Sequence, residues 1–189
     1  PLVDRTIDLL NKSKLSRREI KPYFANLTIG ASAVAWSIAR RDLISENAPL
    51  LGISACETDT SYNKLCEGDT EGDGLIMQTD SEELLHAGIS VAKRAWSKFT
   101  HLSGWSAETP DFIVTHQVGK AHTTSVFESL GLAIEKNFST YETLGNCGSV
   151  SLPITYAIAC EQSPERLTQP CSLLGIGSGL SSIMLSVNS

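Results

Sequence analysis

Between residues 80 and 131 the chain alternates a long helical pattern, a short apolar run and a second helical pattern, and that order restricts the fold more than any other feature. Leu85, Ile89, Ala92, Trp96 and Phe99 recur at spacings of four, three, four and three, which places them on one face of a helix. Asp80 or Ser81 stands where its cap belongs. After Pro110, residues 111–115 read as a buried strand ending at His116-Gln117. A helix over about 119–131 then stops at Gly131, because glycine readily takes the left-handed conformation that ends a helix. Helix, strand and helix in close succession predict a layered α/β protein.

The flanking segments fit that class. Residues 3–11 and 16–23 read as short helices, with Ser16 capping the second. Residues 28–39 mix small and β-branched side chains with alternation after Ser32, which predicts a buried strand, and 50–56 reads as its neighbour. Between 57 and 78 lies a polar, glycine-bearing loop or short hairpin. A short strand is predicted over 137–143 and a helix over 149–162. Pro153 is tolerated in its first turn, where an amide has no intrahelical acceptor. Two apolar strands, 171–176 and 182–187, close the chain around Gly177-Ser178-Gly179.

Composition removes several function classes. The net charge of −6, with only small basic clusters, argues against a phosphate-backbone binder and so against nucleic acid. The apolar runs are too short and interrupted to span a bilayer, which predicts no membrane segment and a cytoplasmic protein. Five cysteines, an odd number without CxxC spacing, suit reduced thiols rather than a disulfide framework or a zinc site.

Three features stand at predicted strand ends: His116, Asn146 and the Gly175-Ile-Gly-Ser-Gly179 turn. Each alone is ordinary, since a histidine after a strand is commonly structural and an asparagine between glycines commonly forms a turn. Their order is more specific. "THQ" at 115–117, "GNCGSVSLP" at 145–153 and "GIGSGL" at 175–180 together resemble the C-terminal half of the 3-oxoacyl-acyl-carrier-protein synthase III family, condensing enzymes of the thiolase superfold.

That resemblance covers about residues 24–189. It implies a layered αβαβα fold, with 1–40 the tail of an N-terminal half and 41–189 the C-terminal half. It also implies that His116 and Asn146 are two members of a Cys-His-Asn triad, and that the backbone amide of Ser178 serves an oxyanion hole. The family's nucleophilic cysteine precedes the strand that 28–39 resembles, so it is expected upstream of Pro1. Acyl-CoA or acyl carrier protein thioesters are the implied substrates, with no further cofactor, and a homodimer is the implied assembly. Val118-Gly119 after His-Gln, and the 148–153 run, look more like the branch that joins two acyl chains head to head in olefin biosynthesis. That branch removes a proton from an acyl thioester, with its base in the upstream half.

Competing readings remain open. Cys147, beside Asn146, could be the nucleophile of a stand-alone cysteine hydrolase or acyltransferase, with His116 as base. A non-catalytic thiolase-fold subunit is the other alternative. The spacing Asp69-x-Glu71-x-Asp73-Gly74 to Asp80 partly matches a calcium loop, but no entering amphipathic helix precedes it, so a polar hairpin is favoured. His122, six residues after His116, is expected to point to a different side. His86 and His101 suit surface or capping roles, and Trp36, Trp96 and Trp105 suit packing.

Overall fold

The computed structural model describes residues 2–69 and 76–188. The first half supplies α1 (Leu2–Lys12), α2 (Arg17–Ile20), β1 (Leu50–Thr58), β2 (Cys66–Asp69), β3 (Ile76–Thr79) and α3 (Ser81–Ser103). The second supplies β4 (Phe112–Thr115), α4 (Lys120–Leu130), β5 (Asn137–Phe138), α5 (Tyr141–Leu144), α6 (Ser151–Gln162), β6 (Cys171–Gly177) and β7 (Ser181–Asn188).

Five strands form one mixed sheet in the order β1-β7-β6-β4-β5. β4 runs parallel to β5 and β6, while β7 is antiparallel to both β6 and β1. All four residues of β4 are buried, as expected for a central parallel strand covered on both faces. Ile113, Leu174 and Met184 enter one core with Trp96 and Phe99 of α3 and Phe127 of α4. Phe112, Val114 and Leu173 enter a second core with Tyr156 and Ala159 of α6. Alternation along the strands thus joins two apolar layers through one sheet.

Local chemistry accounts for the element ends. The Asp80 carboxylate accepts the Glu83 amide at 3.0 Å, and Gly104 closes α3 in the left-handed conformation. Gly131 closes α4 in the same way. The polar excursion contains the predicted hairpin, β2 paired with β3. Of the calcium-loop residues, Glu71, Asp73 and Gly74 lie outside the described residues; among the described ones no cluster of three or more His, Cys, Asp or Glu side chains could hold a metal. No helix among them is long and apolar enough to cross a membrane.

Several expectations are corrected. Residues 28–39 do not form a sheet strand: Thr28 ends a 3₁₀ helix, Lys21–Thr28, that extends α2, and only Ile29 makes a bridge, to Asn146. Alternation requires a neighbouring ladder to become a strand, and 30–40 pairs with neither sheet edge. Ile38 there is 73% exposed, while Trp36 meets Tyr156 edge-on at 5.5 Å. The neighbour of β1 is therefore β7. The predicted 137–143 strand shortens to two residues because α5 begins at Tyr141, and α6 starts at Ser151 after a 3₁₀ turn.

Candidate active site

Because β4 and β6 are parallel, their carboxyl ends lie along one edge of the sheet, and the reacting groups predicted from sequence collect there. His116 directly follows β4, and its backbone amide donates to the Leu174 carbonyl at 3.0 Å, tying it to β6. Ser178 sits in the turn between β6 and β7. Asn146 arrives from the loop after α5. Its amide donates to Thr28 O and its carbonyl accepts from Gly30 N, both at 2.8 Å.

That crossing needs two glycines. A Cβ at Gly30 would fall 1.7 Å from the Leu144 carbonyl oxygen. Gly145 has φ +67°, and a Cβ there would lie 2.6 Å from Thr28 O. Segment 28–30 therefore acts as a brace that holds the Asn146 loop rather than as part of the sheet.

The Asn146 side chain has a defined orientation. Its Oδ1 accepts from the Gly148 amide at 2.9 Å and the Ser151 hydroxyl at 3.4 Å. The amide nitrogen is then the end left to donate, with no partner among the described residues. Gln117, buried to 1% exposure, links the end of β4 to the start of α5. Its Nε2 donates to Thr115 O at 2.7 Å, and its Oε1 accepts from the Thr140 and Tyr141 amides at 2.7 and 3.0 Å. The sequence includes Gln117 in the THQ motif at 115–117 without giving it a role of its own.

His116, Asn146 and Ser178 all line a single cleft of about 810 Å³. Its wall is largely apolar, with Phe24, Met77, Leu84, Ile176, Leu180 and Ile183 contributing. Burial lowers the His116 pKa below its ordinary 6.5, so the ring is neutral at pH 7 and donates from one nitrogen. Cys147 is not among the lining residues. Its Sγ donates to the Leu144 carbonyl at 3.3 Å and its amide donates to Ser151 Oγ at 2.8 Å, so the thiol packs into the brace.

His122 is a correction. His122, in the first turn of α4, lines the same cleft as His116. The two rings interact: desolvation, with repulsion from His116, drives the His122 pKa down to about 4. His86 and His101 are exposed, and Trp96 and Trp105 pack around Phe99, as expected.

The sheet order, the two helical layers and the donors gathered at its edge define the C-terminal half of a thiolase-like fold. Residues 101–187 match the family described as 3-oxoacyl-acyl-carrier-protein (ACP) synthase III C terminal. It is 35% identical over 194 residues to the acyl-CoA:acyl-CoA alkyltransferase of Shewanella oneidensis, covering 98% of this chain and 55% of the relative. Identity to the acyl-CoA:acyl-CoA alkyltransferase of Xanthomonas campestris is 31% over 184 residues, covering 97% and 53%. A crystal structure of Xanthomonas campestris OleA, a cysteine-to-serine variant with bound lauric acid and lauroyl-CoA, superposes with a TM-score of 0.83 at 29% identity. That match covers 100% of this chain and 55% of the OleA chain. The chain thus spans about half the length of the curated relatives it matches.

Proposed function

We propose that this chain forms the enolate-stabilising half of an acyltransferase that joins two acyl thioesters by a Claisen-type condensation. The observation that carries the reading is the convergence of His116 and Asn146, thirty residues apart in sequence, on one apolar cleft, with no partner for the His116 ring or the Asn146 amide nitrogen among the described residues. The similarity to two acyl-CoA:acyl-CoA alkyltransferases supports acyl-CoA as the substrate class.

In this account a cysteine thiolate in an upstream half accepts the first acyl group and expels its carrier thiol. A base in that same half removes an α-proton from the second thioester. Its electrons shift onto the carbonyl oxygen, where His116 and the Asn146 amide donate two fixed hydrogen bonds. The enolate carbon then attacks the acyl-cysteine carbonyl, whose oxygen meets the Ser178 backbone amide. Collapse of that intermediate returns the thiol and leaves a 2-alkyl-3-ketoacyl thioester. No cofactor beyond the thioesters is required.

An upstream half is supported by the relatives' length and by apolar side chains such as Ile38 and Leu43, each 73% exposed. Residues 1–40 are proposed to belong with that half, and a cytoplasmic homodimer follows from the family resemblance. Because Cys147 is turned into the brace, the upstream thiol is favoured over it. The test is to incubate the full-length gene product with lauroyl-CoA and analyse products by mass spectrometry. A C24 2-alkyl-3-keto product is expected; release of lauric acid alone would refute the reading.

A further inference from the structure

Beside the cleft lies a small second cavity of about 20 Å³, which shares His116, His122, Gly175 and Ile176 with it. It is walled by Thr115, His116, His122 and Ser182, with apolar Val126 and Met184 completing much of the surround. Two of its lining residues carry a buried polar atom, Thr115 Oγ1 and His122 Nδ1, without a partner among the described residues, and Thr115 is only 4% exposed. Ser182 Oγ is already engaged, donating to Gly175 O at 3.2 Å. Orphaned buried polar atoms are costly, and a space of roughly 10–15 Å³ with two or more polar neighbours suffices for one water.

We propose that this cavity binds one water bridging Thr115 Oγ1 to His122 Nδ1, and that the bridge turns His122 Nε2–H toward the cleft as a third hydrogen-bond donor to the acyl thioester. The Thr115 hydroxyl donates to the water, and the water donates to Nδ1. A neutral imidazole carries one ring proton, so an accepting Nδ1 places it on Nε2. His122 lines both the small cavity and the cleft, which lets one ring serve the two spaces. Of the residues lining the small cavity only His116 and His122 titrate, and desolvation lowers the pKa of both, which favours their neutral forms. The identity of the cleft ligand rests on the proposed function; the water site and the tautomer do not.

Three readouts on the full-length gene product test the assignment. High-resolution diffraction is expected to show one water at about 2.7–3.2 Å from both atoms, and Thr115→Val should lose it. Nitrogen-15 spectra of labelled histidine are expected to report the Nε2-protonated tautomer for His122. Binding of a non-reactive lauroyl-CoA thioether should weaken about fivefold in His122→Phe, while His122→Gln, whose amide nitrogen can stand near Nε2, should recover most of the loss. A cavity without ordered solvent together with an Nδ1-protonated ring would overturn the water site. Equal thioether affinity in wild type and His122→Phe would overturn the donor role. Wild-type protein that binds no thioether would instead sink the proposed function, with the water and tautomer still decided by diffraction and spectra.

Discussion

Replacing His122 by glutamine should remove a defined part of the protein's acid sensitivity. The unfolded ring titrates near its ordinary value of 6.5, whereas burial and the neighbouring His116 bring the folded ring to about 4. Through that window the unfolded state binds more protons, so stability falls as pH drops from about 6.5 to about 4. At pH 5 the unfolded ring is almost wholly charged and the folded one roughly a tenth charged. That difference costs the folded state about 2 kcal/mol relative to pH 7.5. His116 shifts in the same direction and adds to the slope. Urea denaturation at pH 7.5 and pH 5.0 should show wild type losing about 2 kcal/mol more than His122→Gln. Parallel losses in the two proteins would show that the buried ring is not the source.

The brace and its linkage give three further tests. Gln117→Leu strands the Thr140 and Tyr141 amides, and at about 1–3 kcal/mol for each buried unsatisfied group it should lower the urea midpoint strongly while slowing any step that depends on Asn146. Gly145→Ala forces a side chain into a glycine-only conformation and against Thr28 O, for a loss of at least about 1–3 kcal/mol, readable by thermal denaturation. Cys147→Ala in the full-length gene product should leave condensation within about threefold of wild type, because a packing thiol carries only a weak hydrogen bond. A complete loss of product would restore Cys147 as the nucleophile.

What could be read in advance followed from local periodicity and punctuation. The α3 cap at Asp80, the β4 run ending at His116, the Gly131 stop and the two closing strands all carry their determinants within a few residues. The failures involve partners distant in sequence. Residues 28–39 alternate like a strand, yet a strand exists only where another backbone completes its ladder, and here just Ile29 finds one. Gly30 reveals its purpose only when the Leu144 carbonyl is seen against it. Helical spacing within α4 says nothing about the turn that joins it to β4, so the sequence does not reveal that His122 faces the cleft. Asn146 was legible as a donor, but the orientation of its amide depends on Gly148 and Ser151 holding Oδ1.

The most direct test separates acyl transfer from carbon–carbon bond formation in His116→Ala and Asn146→Ala of the full-length gene product. Protein mass spectrometry would follow the acyl-enzyme formed from lauroyl-CoA, and product analysis would follow the 3-keto compound. Each variant should still acquire the acyl group, while condensation falls by about 10²–10³ for the loss of one fixed donor to the enolate oxygen. Condensation at the wild-type rate in both variants would contradict the assignment of this cleft as the enolate site.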